Sequence, residues 1–331
     1  MQEYKTVNTY IDTLGIRCVC DGIYQRTSLF KTLINFLRAR NIVGIKYNKE
    51  RSTKYYQITE LLHGNTKIAS IDRGYYQNDN NSFNPDYYYI NISFYGLKRY
   101  SKIKDEASLL LVRTITAFLN TYNIDFKLIE LDIAMDVQAP IDNILAVCVR
   151  RSPNIEYYQL GDSYSNGETI QEDIGTYYME YFESFKQKNN AMNRAYLYDK
   201  RFKELSKYNK DIGFDLTRFE VKLQKRFFVK NTSGFIPIYK ALNKYTVLEF
   251  EDIKQKEQLI QKLNSVTTSK QRRKAIDDII ENNNAILLHQ KMILVGSLLR
   301  ELDTIKLNTQ GDFVLQKHKN NLESMSKFYR R

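Results

Sequence analysis

The chain of 331 residues contains no tryptophan, only four prolines, three cysteines and three histidines. The cysteines form an odd set without metal-ligand spacing, which argues against a disulfide scaffold or a zinc fold. The histidines are too dispersed for a His-x-His metal pair or a Ser-His-Asp arrangement. A Gly-x-x-x-x-Gly-Lys phosphate loop is also missing, so the sequence does not indicate a nucleotide-hydrolysing motor.

Long apolar runs are missing as well, because no segment approaches the roughly 18 residues that a membrane helix needs. Residues Met1–Lys5 lack the basic-then-apolar pattern of a signal peptide. The composition, 43% apolar and 27% charged, is typical of a globular protein. We therefore expect a soluble, cytoplasmic protein in a reducing compartment, with no membrane partner.

Positive charge is in excess, and it is unevenly distributed along the chain. The net charge is +12. Residues 1–200 hold 24 Lys and Arg against 23 Asp and Glu, whereas residues 201–331 hold 26 against 15. A basic segment beside a neutral one indicates a docking region for a polyanion such as a nucleic acid. The alternative is that these lysines only keep the surface soluble.

The hydrophobic pattern predicts strands in alternation with helices. The predicted strands are 5–20, 41–48, 52–62, 66–73, 86–96, 126–137, 156–160, 175–183, 193–200 and 216–228. The predicted helices are 28–40, 105–122, 140–150, 235–246, 250–264, 268–282 and 284–304. Strand–helix–strand–strand order recurs on both sides of residue 125. This order predicts an α+β fold on a largely antiparallel sheet with helices on one face, and it suggests a duplicated unit.

A domain boundary is expected near residue 230, where the strand pattern gives way to helices and the charge becomes basic. Residues 1–230 would form the α+β domain, and residues 231–331 a basic helical domain that binds DNA. The first turn of the helix 268–282 carries four cations: Lys270, Arg272, Arg273 and Lys274. Cations at a helix N-terminus oppose the helix dipole, and a bound phosphate would relieve that conflict, although solvent exposure would also tolerate it.

Three predicted strands carry polar residues on one face, because successive residues of a strand alternate between faces. That face holds Asp132 and Asp136 on strand 126–137, Arg194, Tyr196, Tyr198 and Lys200 on strand 193–200, and Arg218, Glu220 and Lys222 on strand 216–228. An antiparallel sheet with one solvated face shows the same alternation, so the pattern by itself does not require an active site.

If the three strands are neighbours, their polar residues are the parts for attack of a tyrosine on a phosphodiester. Either Tyr198 or Tyr196 would be the nucleophile. The acids supply hard oxygen ligands that suit Mg²⁺ or Mn²⁺: Asp132, Asp136 and Glu220. Three cations could neutralise the charge that develops on the phosphate: Arg218, Lys200 and Lys222.

Three motifs in this order carry a family resemblance: Leu131–Asp136, Ala195–Lys200 and Arg218–Leu223. They resemble the replication initiation factor family of bacterial rolling-circle plasmids and related phages. Members of that family show an Asp-x-Ala-x-Asp strand, a Tyr-Asp/Glu-Lys strand and an Arg-x-Glu-x-Arg/Lys strand. The opening Tyr10–Gly15 also resembles the start of the family. The resemblance covers roughly residues 8–230.

The resemblance implies a relaxase-like nicking domain that uses a divalent metal. Such proteins cut one strand at an origin, keep the 5′ end as a phosphotyrosine and later reseal it. The acids Asp132, Asp136 and Glu220 fall on the acidic positions of the family, and Tyr198 falls on the tyrosine of its Tyr-Asp-Lys motif. Tyr196, Tyr178 and Tyr177 remain alternative nucleophiles. Members often dimerise, which makes a second copy of the chain an expected partner.

The sequence departs from the family pattern at two places. Glu130 stands where members commonly have arginine, and Thr176–Phe182 lacks the glycine and serine of the family's Tyr-x-Gly-x-Arg-x-Ser stretch.

Two functions fit these features. The first is a metal-dependent DNA strand transferase that starts rolling-circle replication at an origin duplex. It would work with a separate host helicase, since no motor sequence is seen. The second is a sequence-specific DNA-binding regulator on the same scaffold, without nicking. Charge alone also permits an RNA-binding protein.

Overall fold

The structure, a computed structural model, consists of two compact units. It describes residues 8–52, 56–77, 83–97, 102–148, 158–159, 162–165, 168–171, 176–178, 193–224, 227–228, 241–242, 244–282 and 285–288. One unit, here the N-terminal unit, comprises residues 11–132 and 224–235. The other, here the C-terminal unit, comprises residues 133–223 and 236–298 with the residues up to Tyr10.

The N-terminal unit is an antiparallel sheet with two long helices. Its elements are β1 (Asn8–Cys20), α1 (Ile23–Arg40), β2 (Gly44–Asn48), β3 (Gln57–His63), β4 (Thr66–Gln77), β5 (Phe83–Tyr95), α2 (Lys102–Thr121) and the first part of β6 (Phe126–Val137). The strand order is β2-β3-β4-β5-β1-β6. Alternate residues of β1 are fully buried: Leu14, Ile16 and Cys18. Phe36 of α1 contacts Phe118 of α2, with 4.8 Å between the ring centroids.

The C-terminal unit begins within β6, at Ile133. Its further elements are a 3-10 turn (Ile141–Asn143), β7 (Ile144–Cys148), β8 (Tyr158–Gln159), β9 (Asp162–Ser165), β10 (Glu168–Gln171), β11 (Thr176–Tyr178), β12 (Asn193–Asp199), α3 (Lys200–Tyr208), β13 (Thr217–Leu223), β14 (Tyr245–Glu249), α4 (Ile253–Ser265), α5 (Ser269–Glu281) and β15 (Ile286–Leu287). The main strand order is β6-β13-β12-β11-β8, with separate ladders β10-β9 and β15-β14-β7.

The two units repeat one topology. In the N-terminal unit, β1 is followed by the meander β2 to β5, whose last strand returns to lie beside β1. In the C-terminal unit, β6 is followed by β8, β11, β12 and β13, and the last of these strands lies beside β6. The antiparallel ladders and the five α-helices of the described residues confirm the predicted α+β class. The repeat also supports the predicted duplication.

The segment 140–150, predicted as a helix, forms a 3-10 turn followed by β7. Of the predicted helix 235–246, residues 241–242 are helical and residues 245–246 belong to β14; of the predicted helix 284–304, residues 286–287 form β15. Most other residues of these two segments lie outside the described part of the chain. The run Ile144–Val147 is buried throughout. A short run of this kind fits a buried strand as well as a helix, so periodicity could not separate the two.

Contacts of β14 place the helices α4 and α5 in the same unit as β12 and β13. The Asn193 side chain donates to the Tyr245 hydroxyl at 2.7 Å, and the Tyr245 ring lies 5.7 Å from that of Phe219. A separate core joins β7 and β14 to α4 and α5 through Leu145, Leu248, Phe250, Leu259, Leu263 and Ile276. The compact units therefore divide near residue 132, while the assignment of a catalytic and a DNA-binding domain on either side of residue 230 stays a prediction.

None of the helices in the described part of the chain has the length and apolar character that a bilayer crossing requires.

A buried ion pair ties β13 to β6. The Arg218 guanidinium donates from Nε to Asp136 Oδ1 at 2.7 Å and from Nη2 to Asp136 Oδ2 at 3.1 Å. Arg218 is 0% exposed and Asp136 3%. Such bidentate contacts are the strongest that arginine makes with a carboxylate. Without its partner, each of the two buried charges would be left uncompensated.

We expect Arg218→Met or Asp136→Leu alone to lower the free energy of unfolding by about 3 to 5 kcal/mol, because one buried charge remains. The double variant should lose less than either single variant, because no charge is left. Urea unfolding followed by circular dichroism measures all three. Removal of the exposed pair Lys262–Asp278 by Lys262→Met should cost less than about 1 kcal/mol. Additive losses in the double variant would contradict the coupling.

Gly15 of β1 lies where the neighbouring strand approaches closely. A Cβ at this position would be 2.8 Å from Glu130 Cβ and 3.4 Å from the Glu130 nitrogen. We expect Gly15→Ala to cost about 1 to 3 kcal/mol of stability through overpacking. In Gly44→Ala, the nearest atom is 3.6 Å from the new Cβ, so the same urea assay should show little change. Equal stability of the two variants would exclude the steric explanation.

Candidate active site

The predicted polar face of β12 and β13 is confirmed by the register of the two strands. Residues opposite one another in an antiparallel pair lie on the same face. Three such pairs are Tyr198 with Arg218, Tyr196 with Glu220, and Arg194 with Lys222. The polar side chains of the two strands therefore line one face, while Phe219, Val221 and Leu223 lie buried on the other.

Tyr198 and Glu220 form the central contact of this face. The Tyr198 hydroxyl donates to Glu220 Oε2 at 2.9 Å. The Nζ atom of Lys203 lies over the Tyr198 ring, 3.9 Å from its centroid. Only 3% of Tyr198 is exposed. The phenol thus has a proton acceptor and a neighbouring cation, but a phosphate can reach it only if covering side chains move.

The other tyrosines proposed as nucleophiles are less well placed or less fully described. Tyr196 is half-buried and lies opposite Glu220 in the ladder. On β11, Tyr178 is opposite Tyr196 and Tyr177 is opposite Leu197. The side chains of these two residues lie outside the described part of the structure. Tyr198 remains the leading candidate because its hydroxyl has a hydrogen bond to an acid.

The three acids predicted as metal ligands are divided between the two units. Both oxygens of Asp136 accept from Arg218, and an oxygen of Glu220 accepts from Tyr198. Asp132 is buried and belongs to the N-terminal unit. Within the described residues, no three His, Cys, Asp or Glu side chains are grouped so that they could hold a metal ion. These contacts give no support to a shared site of Asp132, Asp136 and Glu220, and a divalent metal stays a prediction.

The Tyr-Asp-Lys motif forms the junction between β12 and α3. The Asp199 carboxylate caps the helix by accepting from the Phe202 nitrogen at 2.9 Å, as expected of a helix N-cap. Lys200, predicted to end the strand, is the first residue of α3, and its Nζ atom lies 2.5 Å from Glu204 Oε1. Both side chains are buried, so Lys200 is engaged with an acid one helical turn away.

Among the predicted catalytic cations, Arg218 is engaged with Asp136, whereas Lys222 is half-buried on the same face. The geometry gives Arg218 a structural role, because the guanidinium would have to leave Asp136 to bind a phosphate. Its predicted catalytic part gains no support from these contacts.

The four predicted DNA-binding cations divide into two kinds. Lys270, Arg273 and Lys274 are exposed in the first two turns of α5, whereas Arg272 is 3% exposed. The helix begins with a capping box between Thr268 and Gln271. Three of the four cations are therefore placed where a phosphate could reach them.

Sequence reasoning missed α3 and with it Lys203 and Glu204. The signal was present: an aspartate that can cap, followed by a lysine and a glutamate four residues apart. The helix was not predicted because the strand pattern of residues 193–200 runs directly into its first residue at the end of β12.

No protein-family model matches the chain, and no curated protein matches its sequence. Among solved structures, the chain is similar to one described as "Structure of Rolling Circle Replication Initiator Protein from Geobacillus stearothermophilus". That similarity covers 93% of this chain and 100% of that chain, with 13% sequence identity and a TM-score of 0.39. At this TM-score the likeness carries no argument about fold or function, which rest on the residues and contacts of the chain itself.

Proposed function

We propose that the chain is a DNA strand transferase that initiates rolling-circle replication by nicking one strand with Tyr198. The observation that carries this proposal is the hydrogen bond from the Tyr198 hydroxyl to Glu220 at 2.9 Å. Support also comes from the ordered motifs on β6, β12 and β13, and from the basic second part of the chain.

In the proposed reaction the Tyr198 oxygen forms a bond to phosphorus while the bond from phosphorus to the 3′ oxygen breaks. The phenolic proton passes to Glu220, which already accepts its hydrogen bond, and the departing 3′ oxygen takes a proton from water. The 5′ end remains on Tyr198 as a phosphodiester. Because this link conserves the energy of the broken bond, resealing needs no nucleotide hydrolysis.

A divalent metal, an origin duplex with its opened strand, a host helicase and a second copy of the chain remain predicted partners. The described residues do not form a three-acid metal site. The derivation above therefore includes no step through a metal ion.

A second candidate, a DNA-binding regulator without nicking, is favoured by two observations. Tyr198 is 3% exposed, and both oxygens of Asp136 are engaged by Arg218. A scaffold that kept the fold and the exposed cations of α5 would bind DNA with neither a reachable phenol nor a metal.

We expect Tyr198→Phe to abolish a covalent protein–DNA adduct, because the variant lacks the attacking oxygen. The assay incubates the protein with a supercoiled plasmid carrying its own origin and Mn²⁺ or Mg²⁺, and then runs a denaturing gel. Glu220→Gln should slow adduct formation by about 10² to 10⁴-fold, the usual contribution of a general base.

Tyr196→Phe is the matched control and should still form the adduct. An adduct that persists in Tyr198→Phe but disappears in Tyr196→Phe or Tyr178→Phe would move the nucleophile to that tyrosine. Specific binding without an adduct in either metal would favour the regulator.

We expect the triple variant Lys270→Ala, Arg273→Ala, Lys274→Ala to weaken binding to duplex DNA and to flatten its salt dependence. Each lost phosphate contact should reduce the slope of log K against log salt by about 0.9. Fluorescence anisotropy at several salt concentrations measures this slope. The exposed Lys254 of α4 provides a control in Lys254→Ala. An unchanged slope in the triple variant would exclude α5 as a phosphate contact.

A further inference from the structure

Three large apolar side chains are exposed on α3 and on the loop that follows it. Phe202 is 44% exposed, Leu205 45% and Phe214 39%. Single exposed apolar residues are common on protein surfaces. Here three lie within thirteen residues, on the helix that begins two residues after Tyr198 and on its following loop, which makes them a candidate binding surface. We call Phe202, Leu205 and Phe214 the α3 platform.

The loop that carries Phe214 is held against the first turn of α3. Arg201 donates to Asp211 at 3.0 Å and to Asp215 at 3.2 Å, on both sides of Phe214. The hydrogen bond from Arg201 also lowers the pKa of the Asp211 carboxyl, so the pair stays ionised at neutral pH. Gly213, at φ +78°, supplies the left-handed turn between them. Phe214 is thus presented by a fixed loop, next to the helical turn that contains Phe202.

The platform is continuous with the candidate nucleophile. The Phe202 nitrogen donates to Asp199, the residue after Tyr198. The next residue, Lys203, places its Nζ atom over the Tyr198 ring. Since a helix rises about 1.5 Å per residue, the platform begins within a few ångströms of the end of β12. A ligand bound on Phe202 would therefore lie close to the residue that precedes Asp199, the candidate nucleophile Tyr198.

The chemistry of this surface fits a single-stranded nucleic acid. Aromatic rings accept any base by stacking, and cations beside them meet the phosphates. On α3, Lys200 is paired with Glu204 and Arg201 with Asp211 and Asp215, so Lys203 is the described cation of this helix that can lie beside the backbone of a bound strand. A duplex hides its base faces inside the stack, whereas an opened strand exposes them.

We propose that the α3 platform binds the single DNA strand beside the scissile phosphate, with bases stacked on Phe202 and Phe214 and with Lys203 beside the backbone. This inference rests on the proposed nicking function for its place in a reaction. The binding itself is measured separately.

The probe is a fluorescein-labelled 20-nucleotide oligodeoxythymidylate, followed by anisotropy with the full chain. Phe202→Ala and Phe214→Ala should each weaken its binding about tenfold, which corresponds to about 1.4 kcal/mol. Phe202→Tyr should keep the affinity, because the ring remains. Affinity for duplex DNA should change little in all three variants. Circular dichroism establishes that each variant is folded.

The matched control is Ile253→Ala, which removes a 47% exposed apolar side chain from the first residue of α4 in the same unit. This variant should bind the oligonucleotide like the unmodified protein. If the control loses as much affinity as Phe202→Ala, the loss is not specific to the platform and the proposal is overturned.

The remaining outcomes separate this inference from the proposed function. If the platform variants bind the oligonucleotide normally, the inference fails even when the unmodified chain forms its adduct. If the platform variants lose binding while the unmodified chain forms no adduct, the binding role of the platform is supported and the nicking function fails. If the platform variants change the oligomeric mass of the protein in analytical ultracentrifugation but not its affinity for the oligonucleotide, the platform is a contact between copies of the chain and the proposal is overturned.

Discussion

The Arg218–Asp136 pair sets the position of the face on which Tyr198 lies. Both groups are almost fully buried, so each charge depends on the other for compensation. A shift of β13 by one residue would turn its polar side chains to the apolar side and separate the pair. The pair therefore holds the register of β13 against β6, and β13 in turn places Glu220 at the Tyr198 hydroxyl. These contacts give Arg218 a structural role, and its catalytic role stays a prediction.

The two units show how one topology carries different chemistry. In the N-terminal unit, Arg17 of β1 donates to Asn91 of β5 at 2.7 Å, a neutral partner in place of a carboxylate. The Tyr56 hydroxyl donates to Asp72 at 2.8 Å, and burial raises the pKa of that acid. The C-terminal unit instead combines a tyrosine–glutamate contact with a fully charged pair. The repeated strand order supplies the scaffold, while the side chains at the strand interfaces decide what each copy can do.

Periodicity predicted the faces of the strands but not the partners of their side chains. The alternation in β12 and β13 places Tyr198 and Glu220 on one face, and the ladder agrees. Alternation cannot say whether Asp136 meets a metal or an arginine, because both choices leave the carboxylate on the same side of the strand. For Arg272 a signal existed: it lies one turn before the buried Ala275 and Ile276, hence on the inner stripe of α5.

If Tyr198 is the nucleophile of the proposed reaction, its burial would favour strand transfer over simple hydrolysis once a strand reaches the phenol. In the proposed reaction, a nearly fully buried phenol would limit the access of water to the phosphotyrosine link. Opening the site requires displacing Lys203 from the Tyr198 ring, a contact of about 0.5 to 2 kcal/mol. Stacking of one base on an aromatic side chain contributes about 1 to 3 kcal/mol of binding free energy. A strand bound on Phe202 could therefore compensate for the opening at the neighbouring residue.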